Sequence, residues 1–201
     1  MENVNGVHSI LSIDIGIKNL GYSIISYTKL GKKDLNELNI EFNIFDISQH
    51  LKKRDNIVCS RCNVLINFIQ EQIEIHGQFE KVIIERQVNT NTMAMELMYA
   101  ITMGIKALIP EADIIIFDPK DKFLKLDLDY TTKNKAHKKQ SIQYARKIIS
   151  LYHPQLLDYF EQFEKKDDVS DAINQCLVWM LSNGLLRMNA ENYKNILIGN
   201  E

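Results

Sequence analysis

The hydrophobic pattern of the chain changes its period near residue 50, and this change limits the possible fold more than any other feature. Before that point, the segments 8–15, 21–28 and 39–47 are rich in β-branched residues or alternate between apolar and polar residues, as strands do. A short turn containing glycine and asparagine separates the first two segments. We therefore predict that three antiparallel strands open the chain.

Helical and extended segments alternate in the rest of the chain. We predict helices at 57–75, 92–109, 137–151 and 168–186 and strands at 80–85 and 112–117. Three antiparallel strands followed by strand–helix–strand crossovers predict an α/β fold, with a mixed five-stranded sheet and helices on both faces. Because no linker or repeat divides the 201 residues, we expect a single domain over 1–201.

The hydrophobic runs argue against a membrane protein or a secreted one. Runs such as 82–85 and 113–117 are far shorter than the roughly 20 residues that span a bilayer. The first ten residues lack the basic and long apolar regions of a secretory signal. We therefore expect an intracellular protein that does not bind membranes.

Cys59 and Cys62 have the CxxC spacing found at zinc and redox sites. Zinc usually takes four ligands, and Cys176 and the scattered histidines form no second pair. We favour a helix turn that carries both cysteines, with a zinc site as the alternative.

Asp14 interrupts the first apolar strand. An unpaired buried carboxylate is costly, so proteins pair it, protonate it or bind a metal with it. Glu85 ends the apolar strand 80–85 in the same way. If these two strands are neighbours, both carboxylates meet at one edge of the sheet, although a salt bridge to Lys18 or Arg86 would explain either acid alone.

Asp168 and Asp171 lie three residues apart at the start of the last predicted helix. That spacing puts both on one helix face, and capping the helix N-terminus is the structural alternative. Because the same helix buries apolar residues from Ala172 onward, its first turn should lie against the sheet. Four carboxylates in one cleft would repel each other, so we expect cations there. Oxygen ligands select Mg²⁺ or Mn²⁺, and two such ions suit hydrolysis of a phosphodiester.

A basic segment precedes this helix. Between residues 131 and 147 there is no acid, and the basic residues are Lys133, Lys135, Lys138, Lys139, Arg146 and Lys147. The net charge of −2 does not by itself indicate a nucleic-acid-binding protein. A solvated helix face is the alternative explanation for the segment.

Three segments resemble the motifs of the RuvC-like Holliday junction resolvases of the RNase H-like superfamily, most closely their poxvirus branch. The segments are SIDIGIKNLGYSI (12–24), VIIERQVNTNTMAMEL (82–97) and KKDDVSDAI (165–173). The resemblance spans nearly the whole chain. It implies a homodimeric endonuclease that cuts four-way DNA junctions and related branched DNA by two symmetric nicks. It also implies two Mg²⁺ ions per site, for which Mn²⁺ can substitute.

The resemblance implies roles for individual residues. Asp14 and Glu85 would be the acids of the two strands, and Asp168 and Asp171 the paired acids of the last helix. Phosphate contacts would come from the basic segment, with further DNA contacts from other residues: Lys133, Lys135, Lys138, Lys139, Arg146, Lys18, Asn89, Asn91, Lys165 and Lys166. Bacterial relatives use an aromatic residue after the second motif at the junction centre, and residues 87–91 contain none.

The resemblance also implies a partner and a location. The helix at 92–109 has more apolar surface than one core face needs, so we expect core packing on one side and a contact with the second subunit on the other. The poxvirus branch implies host cytoplasm at sites of viral DNA replication.

Three other classes share parts of this pattern. The DxG start also occurs in actin-like and sugar-kinase ATPases, but 201 residues with eight glycines leave no room for their second lobe. A general RNase H-like nuclease and a catalytically silent branched-DNA-binding domain remain alternatives. Metal-dependent nicking of a junction, compared with linear duplex, distinguishes them.

Overall fold

The predicted helices and strands are all present in the described part of the chain. The computed structural model describes residues 6–28, 31–51, 57–88, 90–121 and 134–198, without the side chains of residues 57, 58, 134 and 135. The strands in these ranges are β1 (Val7–Ile15), β2 (Asn19–Thr28), β3 (Asn39–Asp46), β4 (Lys81–Glu85) and β5 (Asp113–Phe117). The α-helices in the same ranges are α1 (Ile57–His76), α2 (Thr92–Leu108), α3 (Asn134–Tyr152), α4 (Leu157–Glu161), α5 (Lys166–Ser182) and α6 (Ala190–Ile198). The helices α4 and α6 are additional to those predicted.

The strands form one mixed sheet in the order β3-β2-β1-β4-β5. β2 pairs antiparallel with both β1 and β3, whereas β1 with β4 and β4 with β5 are parallel pairs. β1 is central because a short turn returns the chain as β2 on one side, and α1 carries it back as β4 on the other. The predicted fold class is confirmed, as is the pairing of the strands that carry Asp14 and Glu85.

Side chains of each strand alternate between two apolar cores. Leu11 and Ile13 of β1 belong to the core that includes residues of α1 and α2, whereas Ile10 belongs to the core that includes residues of α3, α5 and α6. Successive strand residues point to opposite faces of a sheet. Ser12 and Asp14, two and four residues after Ile10, therefore face α5.

α5 ends four residues earlier than predicted. Leu185 N–H donates to the Met180 carbonyl and Gly184 N–H donates to the Leu181 carbonyl, at 3.0 and 3.1 Å. Gly184 has a φ of 68°. This pair of bonds is the Schellman motif, in which a glycine adopts the left-handed conformation that ends a helix.

The CxxC pair lies on α1, as favoured from the sequence. Cys59 is exposed and Cys62 is half-buried, and burial raises the pKa of the Cys62 thiol. Within the described ranges, the one cluster of three or more potential metal ligands contains no cysteine. The zinc alternative therefore gains no support from this part of the chain. Among the same residues, no helix combines the length and apolarity needed to cross a bilayer.

Candidate active site

The two strand acids lie at the carboxyl ends of neighbouring parallel strands. The ladder between β1 and β4 pairs Ile13 with Ile84, and Asp14 and Glu85 are the next residue of each strand. Glu85 follows Ile83 by two residues, and Ile83 belongs to the core on the α5 side. Both carboxylates therefore project from the same face of the sheet, at the same end.

Gly21 allows the first turn of α5 to reach this face. It is the β2 partner of Asp14. An ideal Cβ at this position would lie 2.3 Å from the carbonyl oxygen of Asp168 and 2.5 Å from its carbonyl carbon. Only glycine permits so close an approach between strand and helix backbones.

Buried polar groups hold α5 in this position. The hydroxyls of Ser12 and Ser23 both donate to the carbonyl of Ala172, at 2.7 and 3.0 Å. The side-chain amide of Gln175 donates to Ser12 Oγ at 2.8 Å and to the Ile13 carbonyl at 2.9 Å. Ser12, Ser23 and Gln175 are fully buried. Unmaking such bonds would leave buried polar groups unsatisfied, so they specify one position of the helix on the sheet.

Three of the four predicted acids converge. Carboxylate oxygens of Asp14, Glu85 and Asp171 all lie within 4.8 Å of one another, and each residue is half-buried. Asp168 is outside this group of three, one helical turn before Asp171, with its backbone against Gly21. Burial, and then the charge of Asp167, raise the pKa of Asp168.

Lys138 lies beside the paired acids of α5. Its ammonium group donates to Asp167 Oδ2, and this bond, followed by the charges of Asp167, Asp168 and Asp171, raises the pKa of Lys138. Lys138 also lines a groove of about 450 Å³ together with Lys139, Ile142, Gln143, Arg146 and Asp167. Part of the basic segment predicted to bind DNA is therefore adjacent to the acids.

Other predicted DNA contacts have partners within the protein. The Arg146 guanidinium donates to both carboxylate oxygens of Glu161, and Lys166 donates to the Phe163 carbonyl at 2.7 Å. Lys139 is exposed. These contacts do not test the predicted DNA-binding roles, which stay predictions.

The remaining predicted contacts lie around the same edge or outside the described residues. Lys18 is exposed in the turn between β1 and β2, and Lys165 is exposed directly before α5. The Asn91 side chain accepts the Ala94 N–H at 3.3 Å and thus caps α2. Asn89 and Lys133 lie outside the described residues, as does the side chain of Lys135.

Sequence reasoning missed several residues of the site. Asp167 binds Lys138, Ser141 donates to Asp171 Oδ1 at 2.7 Å, and Gln175 bonds to β1. A polar pair, Asn174 and Gln175, about one turn after Asp171 in an otherwise apolar stretch of the helix, was the available signal for Gln175. Nothing in the local pattern marks Ser141.

The donor set fits divalent cations. Carboxylate oxygens at this spacing are ligands that Mg²⁺ and Mn²⁺ prefer over softer metals. The half-buried position reduces screening of the mutual repulsion of the three acids, which a cation would relieve. This mixed sheet, with acids on β1 and β4 and on a helix docked against the same face, agrees with the RNase H-like fold that the sequence resemblance implies.

Three of the solved structures that share this fold come from two proteins. The yeast mitochondrial Holliday junction resolvase Ydc2 is 16% identical, with a TM-score of 0.61 over 94% of this chain and 81% of that chain. Thermus thermophilus RuvC is 11% identical, with a TM-score of 0.56 over 88% of this chain and 97% of that chain. The RuvC structure in complex with a Holliday junction substrate gives a TM-score of 0.53 at 14% identity, with the same coverage of both chains.

The sequence also identifies the family. Residues 8–183 match the model of the Poxvirus A22 protein family, so the chain belongs to that family. The resemblance to the poxvirus Holliday junction resolvases is thereby confirmed. Uncharacterized protein 97L of Invertebrate iridescent virus 3 is 26% identical over 96 residues, which are 48% of this chain and 44% of that protein. The chain therefore aligns with less than half of that relative's length.

Proposed function

We propose that this protein is a structure-selective endonuclease that resolves four-way DNA junctions and related branched DNA by two symmetric nicks. The observation that carries this proposal is the convergence of Asp14, Glu85 and Asp171, whose carboxylate oxygens lie within 4.8 Å of one another. Membership of the A22 family and the resolvase fold support a junction as the substrate.

Asp14, Glu85 and Asp171, with Asp168 beside them, would hold two Mg²⁺ or Mn²⁺ ions. When bound, such a pair stabilises the attacking and leaving oxygens of an in-line displacement at phosphorus. Water attacks phosphorus and the bond to the 3′-oxygen breaks, which leaves 5′-phosphate and 3′-hydroxyl ends. The acids would supply the charge that keeps the cations in place. The strands β1 and β4 orient two of these acids, Asp14 and Glu85.

Lys138 would bind the scissile phosphate. Its ammonium binds Asp167 and is also attracted by the charges of Asp168 and Asp171. When a phosphate enters, Lys138 would exchange one anionic partner for another. The long side chain is 60% exposed and can reach outward. Lys165, exposed before α5, is a second cation at this edge.

The basic face of α3 would bind a junction arm. Lys139 and Arg146 line the same groove as Lys138, and Lys and Arg contacts to phosphate supply most of the affinity that does not depend on DNA sequence. Arg146 must then share its guanidinium between Glu161 and phosphate. Lys133, Lys135, Lys18, Asn89, Asn91 and Lys166 complete the proposed set of DNA contacts.

Two symmetric nicks need two active sites related by a two-fold axis, so we propose a homodimer. On α2, the side facing the core buries Leu97, Ile101 and Ile105, whereas Tyr99 and Met103 are 59% and 70% exposed. These exposed residues lie one helical turn apart and would contact the second subunit. The family membership further suggests that the protein acts at viral replication sites in host cytoplasm.

The test is a nicking assay with a four-way junction and a linear duplex of the same sequence, each with Mg²⁺, with Mn²⁺ and with EDTA. We expect paired symmetric nicks in the junction, little cleavage of the duplex and no cleavage in EDTA. Equal cleavage of linear duplex would favour a general RNase H-like nuclease. Junction binding without cleavage under any metal condition would favour a catalytically silent DNA-binding domain.

A further inference from the structure

The side chain of Asp171 on α5 accepts a hydrogen bond from a second helix, α3. Ser141 of α3 donates its hydroxyl proton to Asp171 Oδ1 at 2.7 Å. Asn174, one turn after Asp171 on α5, donates its side-chain amide to both Ser141 Oγ and the Ser141 carbonyl, each at 2.9 Å. Ser141 is 1% exposed and Asn174 is 5% exposed.

The direction of these hydrogen bonds is set by their chemistry. A serine hydroxyl has one proton, and its oxygen accepts through lone pairs. Because the Asn174 amide occupies a lone pair of Ser141 Oγ, the single proton is available for the carboxylate. Charge-assisted bonds of this kind are about twice as strong as neutral ones. Asn174, Ser141 and Asp171 therefore form an ordered relay that restricts rotation of the carboxylate.

We propose that Ser141, oriented by Asn174, is a positioning residue that sets the Asp171 carboxylate for metal binding. The inference rests on the proposed metal-dependent nuclease and adds to it a role for a residue outside the four acids. Hydrogen-bond partners of metal-binding carboxylates typically change metal affinity or activity by about 10- to 100-fold when removed. Ser141 acts through Asp171 and does not itself bind the metal.

The same helix joins this relay to the DNA-binding face. Lys138 and Ser141 lie three residues apart on α3 and contact Asp167 and Asp171, which lie four apart on α5. Residues at these spacings share one helix face. The packing of α3 on α5 therefore fixes the position of the Lys138 ammonium relative to the Asp171 carboxylate.

The experiment measures Mn²⁺ binding to the full-length protein without DNA, from the loss of the electron paramagnetic resonance signal of free Mn²⁺. Junction nicking and thermal unfolding in EDTA are measured on the same preparations. Ser141→Ala should weaken Mn²⁺ binding about tenfold. The matched control is Ser170→Ala, which removes a buried hydroxyl on α5 that donates to the Lys166 carbonyl at 2.6 Å. That variant should bind Mn²⁺ and nick junctions as the wild type does.

A double-mutant cycle separates positioning from general packing. In an Asp171→Asn background, Ser141→Ala should leave the already weakened Mn²⁺ affinity unchanged, because its target is gone. An additive loss in that background would overturn the inference, as would wild-type Mn²⁺ affinity in Ser141→Ala.

A second variant keeps the inference testable if Ser141→Ala does not fold. Asn174→Leu keeps the branching and the number of side-chain heavy atoms but removes the amide that orients the hydroxyl, so it should also weaken Mn²⁺ binding. Unchanged Mn²⁺ affinity in a folded Asn174→Leu protein would contradict the relay. The proposed function fails separately, if the wild type neither binds Mn²⁺ nor nicks junctions.

Discussion

Replacing Gly21 by alanine should separate the acids of α5 from those of the sheet. The added Cβ would lie 2.3 Å from the Asp168 carbonyl oxygen and 2.5 Å from its carbonyl carbon, where ordinary contact begins at 3.4 Å. Both groups are backbone and cannot rotate away. The first turn of α5 must therefore retreat from β2 by about 1 Å to restore contact distances.

This displacement has two calculable consequences. Overpacking of this size costs about 1–3 kcal/mol of folding free energy, which lowers Tm by several degrees in a chain of this length. A misplacement of about 1 Å in a catalytic constellation can reduce the rate by about 10²-fold. The hydroxyl bonds from Ser12 and Ser23 to Ala172, which measure 2.7 and 3.0 Å, would stretch in the same movement.

Gly104→Ala is the matched control. An ideal Cβ on Gly104 would lie 2.8 Å from Ile66 Cγ1, so this variant also overpacks a buried interface, between α2 and α1. Its clash is with a side chain, and it does not involve α5. Both variants should be compared by thermal unfolding, junction binding in EDTA and Mg²⁺-dependent nicking.

We expect Gly21→Ala to bind junctions with near wild-type affinity but to nick them about 10²-fold more slowly, and Gly104→Ala to nick normally. A folded Gly21→Ala protein that nicks at the wild-type rate would refute the reasoning. The close approach at Gly21 would then have no bearing on the acids.

Four further predictions concern charge and products. Asp14→Asn should fold, and it should bind junctions in EDTA at least as tightly as the wild type, because one acid near phosphate is removed. Its Mg²⁺-dependent nicking should fall by several orders of magnitude. Near wild-type nicking would show that this acid is structural. Asp168→Asn should raise Tm in EDTA at neutral pH, because burial and then Asp167 raise the pKa of Asp168 and the ionised form is therefore unfavourable in the folded state. That gain should shrink as the pH falls through the raised pKa and disappear below the ordinary Asp value of about 3.9, where the acid is protonated in both states. Unfolding curves from neutral to acidic pH measure it. Replacing Lys138 and Lys139 together by alanine should weaken binding to all junction sequences alike. Binding titrations at several salt concentrations should show the slope of the salt dependence reduced by about one unit for each phosphate interaction removed. Unchanged affinity and slope would indicate a solvated face. The nicked products should be sealed by a DNA ligase without processing, and failure of ligation would exclude 5′-phosphate and 3′-hydroxyl ends.

Local patterns in the sequence determined the order of helices and strands and identified the acids. Period-two alternation and the later helical spacing depend only on neighbouring residues, so they predicted five strands and their mixed sheet. Asp14 and Glu85 stood out because each contradicts an apolar strand, and burial of a charge needs a reason. The end of α5 was predicted less well. The apolar residues continue to 186, but the Schellman bonds at Gly184 end the helix before them.

Only the tertiary structure decided which side chains meet. Asp14 and Asp171 are 157 residues apart in the sequence, and their approach depends on α5 docking over Gly21. Glu85 reaches Asp14 through the pairing of β1 with β4. The same docking places Asp168 outside the group of three acids and brings Ser141 to Asp171. A serine within a basic helix has no local pattern that marks it, because its role arises from a partner on another helix. Contacts of this kind are set by strand order and helix packing, which no local period encodes.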